Sequence, residues 1–119
     1  MLGAQEIRQL AQKLEIRPTK KLGQNFVIDP NTIRKIIAAS QITKEDLVVE
    51  IGPGLGSLTL GILEVCPRVI AVEIDERLAK ELPETIKRHA PEATLDLVVS
   101  DALKTKELPG SPTALVANL

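Results

Sequence analysis

Apolar positions along this chain follow two alternating periods. Near the start, Ile7, Leu10, Ala11 and Leu14 fall at i, i+3, i+4 and i+7. That spacing lines one face of a helix, so residues 4–15 are predicted helical. A basic, irregular link runs from Arg17 to Gly23 around Pro18. Asp29-Pro30 supplies an N-cap carboxylate and a residue whose fixed φ suits a first helical position. The helix it opens carries Ile33, Ile36 and Ile37 on one face and is expected to end near Ser40. Beyond it, strand and helix patterns alternate. Leu47 to Ile51 reads as a short apolar strand, Gly52 to Gly56 as a glycine-rich turn and Ser57 to Cys66 as a helix. Arg68 to Ile74 is a second strand; Asp75 then caps a helix with Leu78, Leu82 and Ile86 on its core face. Pro83 should kink that helix, because it removes one backbone hydrogen bond. Leu95 to Val99 is a third strand, Asp101 to Pro109 a loop with room for one helical turn, and Thr113 to Leu119 a fourth strand. Strands alternating with helices mean right-handed βαβ units and a parallel sheet, an α/β fold.

Composition narrows the picture modestly. The 119 residues suffice for one domain. The single Cys66 cannot form an intrachain disulfide, which fits a reducing, cytoplasmic setting. No apolar run approaches the ~18 residues a membrane helix needs, and the first sixteen residues lack a signal-peptide core. Net charge is −1, but residues 1–44 hold eight basic and three acidic side chains, and residues 45–119 hold seven and thirteen. A basic front on an acidic body suits a polyanion partner on one side; a solvated charged surface gives the same count. Phe26 is the sole aromatic, so the chain offers little surface for base stacking.

The candidate chemistry sits at the first strand-to-helix handover, in VVEIGPGLGSLT, Val48 to Thr59. Glycines there let backbone amides approach a ligand, although a tight structural turn needs them too. The spacing is G-x-G-x-G, at Gly52, Gly54 and Gly56, and Ser57 stands where a dinucleotide fingerprint has its third glycine. Acids gather at the strand ends: Glu50 on strand one, Glu73 and Asp75 at strand two, Asp101 past strand three. In a parallel doubly wound sheet these ends line one crevice. Four carboxylates would repel a pyrophosphate. They suit a ligand with a cationic ammonium and sulfonium and a ribose in need of acceptors, a description that S-adenosylmethionine meets. Glu73 follows Gly52 by 21 residues, near the ~20-residue spacing at which an acid grips a ribose. Asp101 suits the adenine amine. Glu50 could bind the methionine end or only orient the turn. No metal site is expected.

Four stretches, in order, are KKLGQNFVID (Lys20 to Asp29), VVEIGPGLGSLT, AVEID (Ala71 to Asp75) and SDAL (Ser100 to Leu103), followed by Asn118-Leu119. Together they closely resemble the adenine N6-dimethyltransferases of small-subunit ribosomal RNA; the erythromycin-resistance methylases share most of them. The resemblance implies a Rossmann-like class I methyltransferase fold with strand order 3-2-1-4 and helices mainly on one face. It implies that Gln24 and Asn25 cover the methionine end of the cofactor, with Phe26 nearby. Gly52, Gly54 and Gly56 would approach through their backbone, Glu73 would hold the ribose hydroxyls, Asp101 the adenine amine, and Ile74 and Ala102 would belong to the same site. Asn118 would be both cofactor-binding and catalytic. Its side chain and the Leu119 carbonyl would accept the target amine's hydrogens, localising a lone pair otherwise delocalised into the adenine ring. Arg17, Lys20 and Lys21 would meet RNA phosphates.

The resemblance also implies that the proline and aromatic expected after Leu119, the rest of the sheet and a C-terminal helical domain belong to a longer parent. On that expectation residues 1–29 form an N-terminal helix and basic cofactor loop, and residues 30–119 a Rossmann-like core cut in strand four. Strand four, Thr113 to Leu119, which the next strand would cover in the parent, would show an open edge, and the uncovered sheet face would leave strands such as Leu47 to Ile51 half bare; either would drive self-association of an otherwise monomeric protein. Three other readings compete: a large-subunit methylase of the resistance type, a non-catalytic RNA-binding or transcription factor on the same fold, and a dinucleotide dehydrogenase, which Ser57 and the acids disfavour.

Overall fold

The computed structural model describes residues 2–15, 29–104 and 108–117. The chain order is α1 (Ala4–Lys13), α2 (Pro30–Ser40), β1 (Val48–Ile51), α3 (Ser57–Leu63), β2 (Arg68–Glu73), α4 (Glu76–His89), β3 (Thr94–Val99), a 3-10 turn (Ala102–Lys104) and β4 (Ala114–Ala117). The four strands are parallel in the order β3-β2-β1-β4, as the resemblance implied.

Local chemistry accounts for most boundaries. Asp29 accepts from the Asn31 amide at 3.3 Å, with Pro30 at the first helical position. Asp75 accepts from the amides of Arg77 (2.8 Å) and Leu78 (3.3 Å), filling two bonds the start of α4 cannot make internally. Helix α4 runs unbroken through Pro83, which lies on its exposed side. Helix α3 ends at Leu63, three residues before the expected Cys66. Its last turn tightens there: the amides of Val65 and Cys66 both reach the Ile62 carbonyl, at 3.0 and 2.9 Å, and Pro67 follows. Gly61 lets α2 lie close against α3, since a Cβ there would sit 2.4 Å from Ile33 Cγ2.

Strand alternation sorts the core. One sheet face carries Val48, Glu50, Val69, Ala71, Leu95, Leu97, Ala114 and Val116, in register across the four strands. Against it pack Leu58 and Ile62 of α3, Ile33 of α2, and Leu78, Leu82 and Ile86 of α4, with Ile7 and Leu10 of α1 outside them. Helices therefore cover mainly one face. The other face carries Val49, Ile70 and Val72, packed with Leu47, Ile51, Val98, Ala102 and Leu108. Here the structure corrects the expectation of half-bare strands: Val48, Val49, Ile70, Ala71 and Val72 are all buried. The segment that returns from β3 to β4 supplies Ala102 and Leu108 on that face.

Helix α1 is pinned to α4 by polar contacts as well as by its apolar stripe. Lys13 pairs with Glu81 at 3.0 Å, and Glu6 takes both Arg88 (3.0 Å) and His89 (2.8 Å). Burial pushes the Glu6 carboxyl up, but the His89 and Arg88 bonds outweigh that and hold it below its ordinary value. None of the helices among the described residues is long and apolar enough to cross a membrane.

Candidate functional site

The carboxyl ends of β1, β2 and β3 meet at one edge of the sheet, where the glycine turn leaves β1. The turn needs its glycines. Gly52, Gly54 and Gly56 have φ of 69°, 58° and 101°, the left-handed region that side chains disfavour. At Gly56 a Cβ would also meet Leu82 Cδ1 at 2.9 Å, so this glycine lets the turn settle on α4. Gly52 donates to the Val72 carbonyl at 3.0 Å, tying the turn's first residue to β2.

The acids do not all face the crevice alike. Glu73 is 5% exposed, and both of its oxygens accept backbone bonds: from Gly54 at 3.2 Å and from Asp75 at 2.9 Å. It joins the glycine turn to the end of β2. Glu50 is 1% exposed and lies beneath the turn, on the helix-covered face, where the Thr59 hydroxyl donates to it. Its carboxyl is pushed up to about 7 by burial, against the pull of the Thr59 bond and with a further push from the Glu73 charge. Among the roles left open for Glu50, this burial favours orienting the turn. Asp75 caps α4; burial raises its carboxyl, but bonds from the Leu78 and Arg77 amides prevail and hold it below the ordinary range. Asp101 is half-buried and accepts from the Leu103 amide at 2.9 Å, shaping the 3-10 turn.

Two apolar side chains stand out at the same edge. Ile74, directly after Glu73, is 64% exposed, and Leu103, next to Ala102, is 95% exposed. Ala102 itself is half-buried. The structure thus gathers Gly52, Gly54, Gly56, Glu73, Ile74, Asp101 and Ala102 at one sheet edge, with Glu50 below. Gln24, Asn25, Phe26, Arg17, Lys20, Lys21, Asn118 and Leu119 lie outside the described residues. The partner that sequence reasoning missed is Thr59: it lies nine residues beyond Glu50, and only the β1–α3 crossing makes them meet. Ser57, singled out as the departure from the dinucleotide pattern, is buried, and its hydroxyl has no hydrogen-bond partner among the described residues.

A parallel 3-2-1-4 sheet, a G-x-G-x-G turn after β1 and an acid closing β2 define the Rossmann-like methyltransferase class. Residues 16–119 match the family described as ribosomal RNA adenine dimethylase, and the chain belongs to that family. Ribosomal RNA small subunit methyltransferase A of Paenarthrobacter aurescens (strain TC1) is 58% identical over all of this chain and 41% of its own length. The chain therefore spans about two fifths of the curated relatives it matches. Among solved structures, a dimethyladenosine transferase from Plasmodium falciparum is 32% identical with a TM-score of 0.67, covering 76% of this chain and 32% of that one. The 23S rRNA methyltransferase ErmE is 35% identical with a TM-score of 0.64, covering 76% and 36%.

Proposed function

We propose that this chain is the cofactor-binding part of an S-adenosylmethionine-dependent enzyme that dimethylates N6 of adenines in small-subunit ribosomal RNA. Its partner would be the RNA of the immature small subunit, in the cytoplasm. The observation that carries the reading is the Glu73–Gly54 bond, which sets a strand-end carboxylate against the glycine turn in a chain of this family. The 58% identity to a protein named for the small subunit, against 35% to ErmE, favours that subunit over the large one.

The residues present fit the cofactor. Glu73 offers acceptors for two ribose hydroxyls, and its oxygens already sit at hydrogen-bonding distance from backbone donors. Gly52 and Gly54 are not buried, so backbone lies open at the crevice. Ile74 gives an exposed apolar surface for a flat base, and Asp101 an acceptor for its amine. Bound there, S-adenosylmethionine supplies a methyl group on a cationic sulfur. Gln24, Asn25 and Phe26 would close over its methionine end. Asn118 and the Leu119 carbonyl would hold the two hydrogens of the target amine, aiming its lone pair at that methyl; enzymes that modify bases hold the target out of the stack in this way. Arg17, Lys20 and Lys21 would take RNA phosphates.

The test is transfer of a labelled methyl group by the full-length protein to small subunits that lack the modification. Dimethylated adenine in small-subunit RNA is the expected product. Modification of large-subunit RNA alone would favour the resistance-type reading, and RNA binding without transfer would favour a non-catalytic factor.

A further inference from the structure

Helix α1 lies along α4, and its polar joints give the direction. Glu6 takes Arg88 and His89, Lys13 meets Glu81, and the Leu14 carbonyl takes Arg77. As residue numbers rise along α1 they fall along α4, so the two run antiparallel. Helix α4 starts at the crevice, directly after β2. The Glu6 joint is therefore remote from the crevice, and the Leu14 joint stands beside it. The apolar side of α1 reaches the same place. Leu55, between Gly54 and Gly56 in the glycine turn, is 4% exposed, and it shares one buried cluster with Ile7 and Leu10 of α1 and Leu78 and Leu82 of α4.

Arg77 makes two contacts at the near joint. Its Nη1 donates to the Leu14 carbonyl at 3.1 Å, one of the acceptors that a helix end cannot satisfy internally. A cation there also suits the negative end of the α1 dipole. Its Nη2 faces Asp75 Oδ2 at 3.5 Å. The Asp75 amide in turn donates to Glu73 Oε2 at 2.9 Å, and the Gly54 amide holds the other oxygen at 3.2 Å. One planar guanidinium thus spans the end of α1 and the residue whose backbone holds Glu73. A rigid fork fixes two acceptors at once, which a single ammonium does not.

We propose that Arg77 is a positioning residue of the crevice, clamping the end of α1 to the Asp75 turn and thereby holding Glu73 in place for the cofactor. This rests on the function proposed above. Arg77 acts through Asp75 and Leu14. Its side chain is 58% exposed, so its removal opens no buried cavity. Lys13 supplies the control: its bond to Glu81 also fastens α1 to α4, but at a point six residues beyond Asp75.

The test is titration of S-adenosylhomocysteine into the full-length protein and its Arg77→Ala, Arg77→Lys and Lys13→Ala variants, with amide hydrogen exchange on the ligand-free proteins. Arg77→Ala should weaken binding roughly three- to tenfold, the scale of one hydrogen bond to a charged group, and speed exchange of the Asp75 amide. Arg77→Lys keeps the charge but not the fork, and should weaken binding too. Lys13→Ala should lower Tm about as much as Arg77→Ala and leave the affinity unchanged. Unchanged affinity in Arg77→Ala overturns the proposal. So does equal weakening in Lys13→Ala, which marks a general loosening of α1, and so does full affinity in Arg77→Lys, which marks an effect of charge alone. Loss of RNA binding alone in Arg77→Ala would make Arg77 a phosphate contact and not a clamp. If the unaltered protein binds no S-adenosylhomocysteine, the proposed function fails on its own, and hydrogen exchange still decides the clamp: an Asp75 amide equally protected in Arg77→Ala would refute it.

Discussion

The two sides of the crevice are built differently. Where β1 and β2 end, the acids are sunk into the core: Glu50 is bonded to Thr59, Glu73 is bonded to the Gly54 and Asp75 amides, and Gly56 is seated on Leu82. Where β3 ends, Asp101 is half-buried, and Leu103 stands almost wholly in solvent. The first side is preorganised, and changing it disturbs the fold and the ligand together. The second is surface, so changing it should disturb the ligand alone. On the proposed function, the fixed acceptors and backbone of the first side would meet the ribose and methionine end of the cofactor, and the short turn carrying Asp101 would meet its adenine edge.

The sharpest way to break this comparison is pH. The Glu50 carboxyl is raised in the folded state from 4.5 to about 7. Its neutral form is the one the fold prefers, so its contribution to stability is complete below the unfolded value and is lost as pH rises through about 7. Denaturant unfolding followed from pH 5 to pH 8 should show a loss on the order of 3 kcal/mol from this group. Glu50→Gln should flatten the curve; an equally steep curve in that variant would remove Glu50 from the core of the account. Gly56→Ala comes next. It forces a side chain into a left-handed conformation and against Leu82, and should cost about 1–3 kcal/mol in the same assay. The smallest effect is expected across the crevice: Leu103→Ser should change stability by less than about 0.5 kcal/mol. A larger loss would show that the β3 side is also core.

Much of this was legible in the sequence, for identifiable reasons. Asp29-Pro30 and Asp75 announce helix starts through capping chemistry that is local, and the structure shows both caps. The glycine turn and its acids are local too, and the strand alternation places them at one sheet edge. What could not be read were contacts made only by the crossing of distant elements. Thr59 meets Glu50 because α3 folds back over β1, and Asp46 meets Thr113 only once β4 lies beside β1. The burial of Val49, Ile70 and Val72 escaped for a similar reason: it depends on Ala102 and Leu108, which sit in a segment that reads as an irregular loop. Strand order 3-2-1-4 came from family resemblance, since hydrophobic pattern alone does not say which edge the fourth strand takes.

The central claim is that the crevice takes S-adenosylmethionine, with Glu73 as the acceptor for its ribose. Calorimetric titration of S-adenosylhomocysteine into the protein and into Glu73→Ala, each with its fold verified by circular dichroism, tests it most directly. The account predicts one site, no heat from NAD, and an affinity weakened roughly ten- to a hundredfold in the variant, the value of one or two hydrogen bonds to a charged group. Equal affinity in the two proteins, or binding of NAD instead, would contradict it.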